Sequence, residues 1–238
     1  MLTADLIVAD LRAKGKESTR KIYARHGMAE ERVLGVSVAD LKVIAKSIKG
    51  QQALACELYA TGIMDAMYLA GLVANGAKIS GPELTEMLGD AADLQMVSEY
   101  TIPWLAIENA RARELALEWI GSGTEHVAAA GWATYLGLCA TKADEELDMA
   151  EIERLLDVIA AGIHEAPNRV RGAMNSFVIA VGTYVKPLLG KAKTVAQQIG
   201  EVYVDVGDTA CKIPLATEYI EKVESMGRVG KKRKTMRC

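Results

Sequence analysis

Asn168, Arg171 and Asn175 stand at intervals of three and four residues, so a helix brings two amides and a guanidinium onto one face. Such a line of planar hydrogen-bonding groups suits two tasks. It can meet a polar ligand, or it can tie neighbouring loops to the helix, because buried polar groups are usually satisfied internally. A second candidate chemistry is cationic: Arg169, Arg171, Lys186, Lys191, Lys193, Arg228, Lys231, Lys232, Arg233 and Lys234 all fall in the last third of the chain. Cations grouped this way hold phosphates with little sequence preference. A third is nucleophilic. Cys211 beside Lys212 has the neighbour that lowers a thiol pKa, but no His lies close in sequence. The preferred reading of Gly207-Asp-Thr-Ala-Cys-Lys-Ile-Pro214 is a turn formed by Asp208 or Thr209 with Cys211 buried. His26, His126 and His164 lack metal-ligand spacing, and Cys56, Cys139, Cys211 and Cys238 form no CxxC pair. With no phosphate-binding glycine loop either, neither a metal nor a cofactor is expected.

These residues need elements to position them. From Asn168 to Val185 the apolar residues Val170, Ala173, Met174, Phe177, Val178, Val181 and Val185 make a broad helical stripe, bracketed by Pro167 and Pro187, with Asn168 able to cap it. Earlier helices have clear starts: Thr3 or Asp5, Ser37 with Asp40 three residues on, and Ser80 near Pro82. Pro103 interrupts the segment Asp93–Ile107, which predicts a break or kink just before it. Glu201–Pro214 departs from helical spacing: Val202, Val204 and Val206 alternate with Tyr203 and Asp205. A lone strand cannot satisfy its backbone, so this reads as an extended loop against a helix. About thirteen helices result, in pairs that start near residues 38, 80, 124 and 168. A period near forty residues is that of HEAT-like repeats, so the predicted fold is an all-α HEAT-like α-solenoid, with a globular helix bundle as the alternative.

Composition agrees. Half of the 238 residues are hydrophobic but only 5% are aromatic, and Met outnumbers Phe ten to one. Small and unbranched side chains favour close-packed helices. No apolar run has the length of a membrane span, and the N-terminus lacks a basic signal-peptide region, so a reducing cytoplasm is the expected location. Trp104, Trp119 and Trp132 have apolar neighbours that mark them as core. The net charge of −3 hides an asymmetry: residues 167–238 hold 13 Lys and Arg against 6 Asp and Glu, a net of +7, which leaves −10 for residues 1–166. The basic end implies a polyanionic partner, and the acidic front could dock a basic protein. Residues 1–226 are expected as one domain, and 227–238, with six basic and no acidic residues, as a mobile basic tail.

The whole chain resembles the DNA alkylation repair family, the AlkD-like HEAT-repeat proteins. The resemblance is carried by Gly35-Val-Ser-Val-Ala-Asp-Leu41, by Leu94-Gln-Met-Val-Ser-Glu-Tyr-Thr-Ile-Pro103, by the helix-pair rhythm, and by the closing stretches Asn168–Asn175, Gly207–Lys212 and Gly230–Lys234. It implies a basic surface that holds a DNA backbone, tryptophans against deoxyribose, and a carboxylate that stabilises positive charge on the sugar as a cationic alkylpurine leaves. The family motif Trp-Asp-x-Val-Asp precedes a Pro. Aligned on Pro103, it puts Gln95 at the first Trp and Glu99 at the final Asp, which makes Glu99 the implied catalytic residue. The family's Arg falls near Ala129 and its second Trp near Ser176 or Phe177. The resulting expectation is a DNA-binding protein that recognises damaged or branched DNA through its basic C-terminal half. The alternative is a non-catalytic protein-interaction scaffold.

Overall fold

A computed structural model describes residues 2–237; Met1 and Cys238, including the readings of the N-terminus and of the fourth cysteine, lie outside the described residues. The described residues form thirteen α-helices and no strand. They are α1 (Ala4–Lys14), α2 (Glu17–Arg25), α3 (Val38–Ser47), α4 (Gln52–Ala60), α5 (Met64–Val73), α6 (Gly81–Asp90), α7 (Ile102–Ala106), α8 (Ala112–Ile120), α9 (Glu125–Thr141), α10 (Met149–Gly162), α11 (Asn168–Tyr184), α12 (Leu189–Ile199) and α13 (Ala216–Ser225). Short links set packed neighbours antiparallel. Helices begin at Val38, Gly81, Glu125 and Asn168, which reproduces the period near forty. No helix among the described residues is long and apolar enough to cross a membrane.

Local chemistry sets several boundaries. Thr3, Ser37, Ser80 and Asp148 accept hydrogen bonds from backbone N–H groups in the first turns of α1, α3, α6 and α10. At α6 the cap is reciprocal, because Glu83 accepts the N–H of Ser80 at 2.7 Å. The irregularity expected before Pro103 takes the form of a π-helical turn at Val97–Thr101, and helical backbone continues through Thr101 and Ile102 into α7. The wider turn makes room for a residue that has no N–H to donate.

The chain divides into two compact units: Met1–Ala110 with Val206–Ala210 and Arg237–Cys238, and Arg111–Asp205 with Cys211–Met236. In the first, Leu11, Leu58, Met67, Leu69, Leu84 and Leu88 are fully buried. So is the Asp65 carboxylate, which accepts the N–H groups of Leu34 and Val36, both at 2.7 Å. Burial pushes its carboxyl up from the ordinary range while these backbone donors pull it down. The turn between the donors needs Gly35, whose φ is +82° and where an added Cβ would lie 2.5 Å from the Lys16 carbonyl oxygen.

In the second unit, Trp132, Tyr135 and Phe177 form an edge-to-face cluster, with centroids 5.3 Å (Trp132–Phe177) and 5.8 Å (Tyr135–Phe177) apart. The tryptophan expectation holds: Trp104, Trp119 and Trp132 are all buried. Glu151 is buried but paired, accepting from the Tyr135 hydroxyl at 2.5 Å and from Arg113 through Nε at 2.8 Å and Nη2 at 2.7 Å. These partners offset the cost of burying its charge. Helix α9 packs on α8 through Gly131, where an added Cβ would lie 2.5 Å from the Ile120 nitrogen and 2.8 Å from the Ala116 oxygen. Backbone cannot swing aside as a side chain can. Gly131→Ala is therefore expected to lower the unfolding free energy by about 2 kcal/mol through overpacking. Urea denaturation measures this, and an unchanged midpoint would mean that α8 and α9 can part freely.

Candidate nucleic-acid interface

Helix α11 carries the polar line seen in the sequence, and the structure uses it to hold the extended segment that follows α12. Asn168 does not cap the helix. Pro167 occupies the cap position without a side-chain bond, and the Asn168 amide is turned to Asp205 instead. Its Nδ2 donates to the Asp205 carbonyl at 2.8 Å, and its Oδ1 accepts the Asp205 N–H at 2.7 Å. Asn175, only 1% exposed, donates through Nδ2 to the Pro214 carbonyl at 3.0 Å. Arg171 lies between them, Cζ 5.9 Å from the centre of the Tyr203 ring, with Nη2 3.4 Å from the Asn168 Oδ1. Val202 is buried and Val204 packs beside Gly172. The extended-loop expectation for 201–214 is met. The Arg171–Asn175 face does the loop-tying task, while Arg169 donates its N–H to Glu125 at 2.8 Å.

Cys211 is exposed, which corrects the expectation of burial. The turn ahead of it does form: the Thr209 hydroxyl donates to the Val206 carbonyl at 3.1 Å. Cys139 is the buried thiol of the second unit, and burial pushes its pKa up to about 12. Among the described residues no three His, Cys, Asp or Glu side chains gather where a metal ion could be held.

The basic tail lies as a strap along helix C-termini. Those ends expose unpaired carbonyls and carry partial negative charge. The Gly230 N–H donates to the Thr183 carbonyl in α11 at 2.8 Å, and the Arg233 N–H to the Ala140 carbonyl in α9 at 2.7 Å. Lys232, with a side chain 19% exposed, donates Nζ to the Cys139 carbonyl at 2.9 Å and pairs with Asp144 at 2.8 Å. In the first unit, Arg237 donates to the Ala74 carbonyl just past α5 and pairs with Glu108, both at 2.7 Å.

The basic candidates thus separate into two groups. Lys191 pairs with Asp157 at 2.5 Å, Lys193 with Glu224 at 2.8 Å, and Lys232 with Asp144. Lys186, Arg228, Lys231, Arg233 and Lys234 are exposed, and none forms an ion pair among the described residues. Gly230 lies against the Lys186 side chain, which sets Lys231 near Lys186. Glu99 belongs to the first unit. It is half-buried on the π-helical turn and accepts from Gln95 Nε2 at 3.0 Å. At the family's other positions, Ala129 and Phe177 are fully buried, and Ser176 donates to the Gly172 carbonyl at 2.9 Å. Tyr203 was not singled out from the sequence, although the alternation of Val202, Val204 and Val206 places it outward.

A model of the DNA alkylation repair enzyme family matches residues 7–192. The chain belongs to that family. Uncharacterised proteins of Listeria monocytogenes and Listeria innocua are 31% and 30% identical to it over 230 residues, covering 94% of this chain and 99% of each relative. A solved structure matches over the full length of both chains with a TM-score of 0.91 and 36% identity. It is described as a new family of proteins related to the HEAT-like repeat DNA glycosylases with affinity for branched DNA structures. For this family member the HEAT-like fold is therefore secure, and its strap can be tested directly. Lys232→Met is expected to cost about 1–2 kcal/mol, since it leaves Asp144 and a carbonyl without their cation. Ending the chain at Met226 costs more, and Lys234→Met costs nothing measurable. Thermal melts compare the three, and a truncated protein as stable as the full chain would show that the strap holds nothing.

Proposed function

We propose that this protein binds branched DNA through the exposed cations at the end of α11 and on the strap: Lys186, Arg228, Lys231, Arg233 and Lys234. The observation that carries this reading is the full-length likeness, at 36% identity, to a structure described by its affinity for branched DNA. The charge distribution supports it and selects the residues. A cation that already has a carboxylate partner releases fewer counterions on meeting a phosphate, so Lys191, Lys193 and Lys232 contribute less than the five without one. Arg169, Arg171 and Asn175 contribute chiefly by holding the local structure.

The test is fluorescence anisotropy with duplex, single-stranded and junction DNA. Junction affinity is expected to fall on the order of 10²–10³-fold between 50 and 200 mM salt, as about five phosphate contacts imply. Combined replacement of Lys186, Lys231 and Lys234 by Ala should reduce the salt slope by about three, one per lysine. Replacing Lys191 and Lys193 should leave it nearly unchanged. No binding to any DNA at low salt would move the reading to a protein-interaction scaffold that uses the acidic front half.

Glycosylase activity is the second reading, and one observation favours it: Glu99 is held by Gln95 on a π-helical turn, a distortion that often accompanies function. Against it stands the family's second tryptophan position. Phe177, one of the two residues near that position, is sealed in the core with Trp132 and Tyr135. We expect release of alkylpurines from DNA to stay at the spontaneous rate. Release above that rate that disappears in Glu99→Gln while DNA binding persists would instead establish catalysis.

A further inference from the structure

Tyr203 has the largest exposed fraction, 72%, among the exposed large hydrophobic and aromatic side chains of the described residues. It does not sit on a loose loop. Val202 on one side is buried, and Val204 on the other packs against α11 at Gly172. Two residues on, the Asn168 amide grips both backbone groups of Asp205. The Arg171 guanidinium faces the Tyr203 ring, and Arg171 is itself steadied by Asn168. The ring is thus presented by an anchored segment, with a cation against it and most of its surface in water.

What sets Tyr203 apart from the other exposed side chains is the anchored segment that holds it and the guanidinium beside its ring, which together keep a π-face open for stacking. We infer that Tyr203 is a stacking platform for an unpaired nucleobase at a branch point. Every base offers a flat π-face, so stacking tolerates any sequence, and Arg171 adds positive potential where the flanking phosphates would run. A fully paired duplex hides its base faces and cannot use the platform. The inference rests on the DNA-binding reading above and deepens it: the strap cations supply affinity for any DNA, and Tyr203 supplies preference for DNA with exposed bases. The exposed side chain makes few packing contacts, so removing it should leave the fold intact.

The experiment uses the full-length protein, a three-way junction with unpaired 2-aminopurine at the branch, and a paired duplex of the same length. Anisotropy reports affinity, and 2-aminopurine emission reports stacking. Tyr203→Ala is expected to weaken junction binding roughly fivefold or more, to leave duplex binding within about twofold, and to abolish the emission change. Tyr203→Phe should retain all three wild-type values, because the hydroxyl takes no part. Equal junction affinity for wild type and Tyr203→Ala would overturn the platform while leaving DNA binding standing, and so would a parallel loss on junction and duplex. Wild-type protein that binds neither DNA would overturn the DNA-binding reading, and the platform with it.

Discussion

A helix packed on several sides still has to find partners for its polar groups, and much of the second unit follows from how α11 meets that demand. Its apolar residues bury against α9, α12 and α13. Its polar line, Asn168–Arg171–Asn175, recruits the segment between α12 and α13 as a hydrogen-bonding partner. The segment has no sheet to join, so it needs outside donors and acceptors of its own. The two requirements meet at the Asn168 amide and at Asn175 Nδ2, while Arg171 Nε and Asn175 Oδ1 are buried without a hydrogen-bond partner among the described residues. The shape of the loop, the outward turn of Tyr203 and the position from which α13 returns to pack on α11 all follow from that match.

Helix C-termini pose the complementary problem. Carbonyls at the ends of α5, α9 and α11 need donors, and the basic tail provides them. A run of six cations therefore has two uses that composition cannot separate. Lys232 and Arg237 are inserted against carbonyls and carboxylates, while Arg228, Lys231, Arg233 and Lys234 point to solvent. The first kind fixes the second in place. Cations on an ordered strap also lose less conformational entropy on meeting a phosphate than cations on a free arm would.

Much of this was legible in the sequence because the signals were local. Ser37 and Ser80 cap helices within three residues of themselves, Pro103 distorts the turn just before it, and the Val202–Val204–Val206 alternation marks extended chain. The readings that missed depended on partners far away in sequence. Asn168 looks like a cap until Asp205, 37 residues on, competes for its amide. Nor does the sequence show that Lys191 and Lys193 sit beside Asp157 and Glu224, which lie 34 and 31 residues away. The tail looks solvated because nothing nearby in sequence tells that Cys139, Ala140 and Thr183 offer it carbonyls. Cys211, expected to be buried behind a turn at Asp208 or Thr209, is exposed although that turn forms.

Membership of a repair family does not transfer that family's chemistry, because the fold and the reaction make different demands. The helical repeat needs small residues and apolar stripes at the right period, and these tolerate wide substitution. Stabilising a developing sugar cation needs a carboxylate placed to within a fraction of an ångström, with groups that hold the DNA against it. Here the one acidic group at the family position is a longer side chain, tied to Gln95 where the resemblance would place an aromatic. At the two other positions Ala129 is buried, and the second offers either an exposed serine that bonds its own helix or a phenylalanine committed to the core. What the second unit does leave in solvent is a set of cations without carboxylate partners and, most exposed of its aromatic rings, Tyr203. Cations and aromatic faces suit phosphates and bases without requiring any bond to break, which is why the proposed function is binding and not base excision.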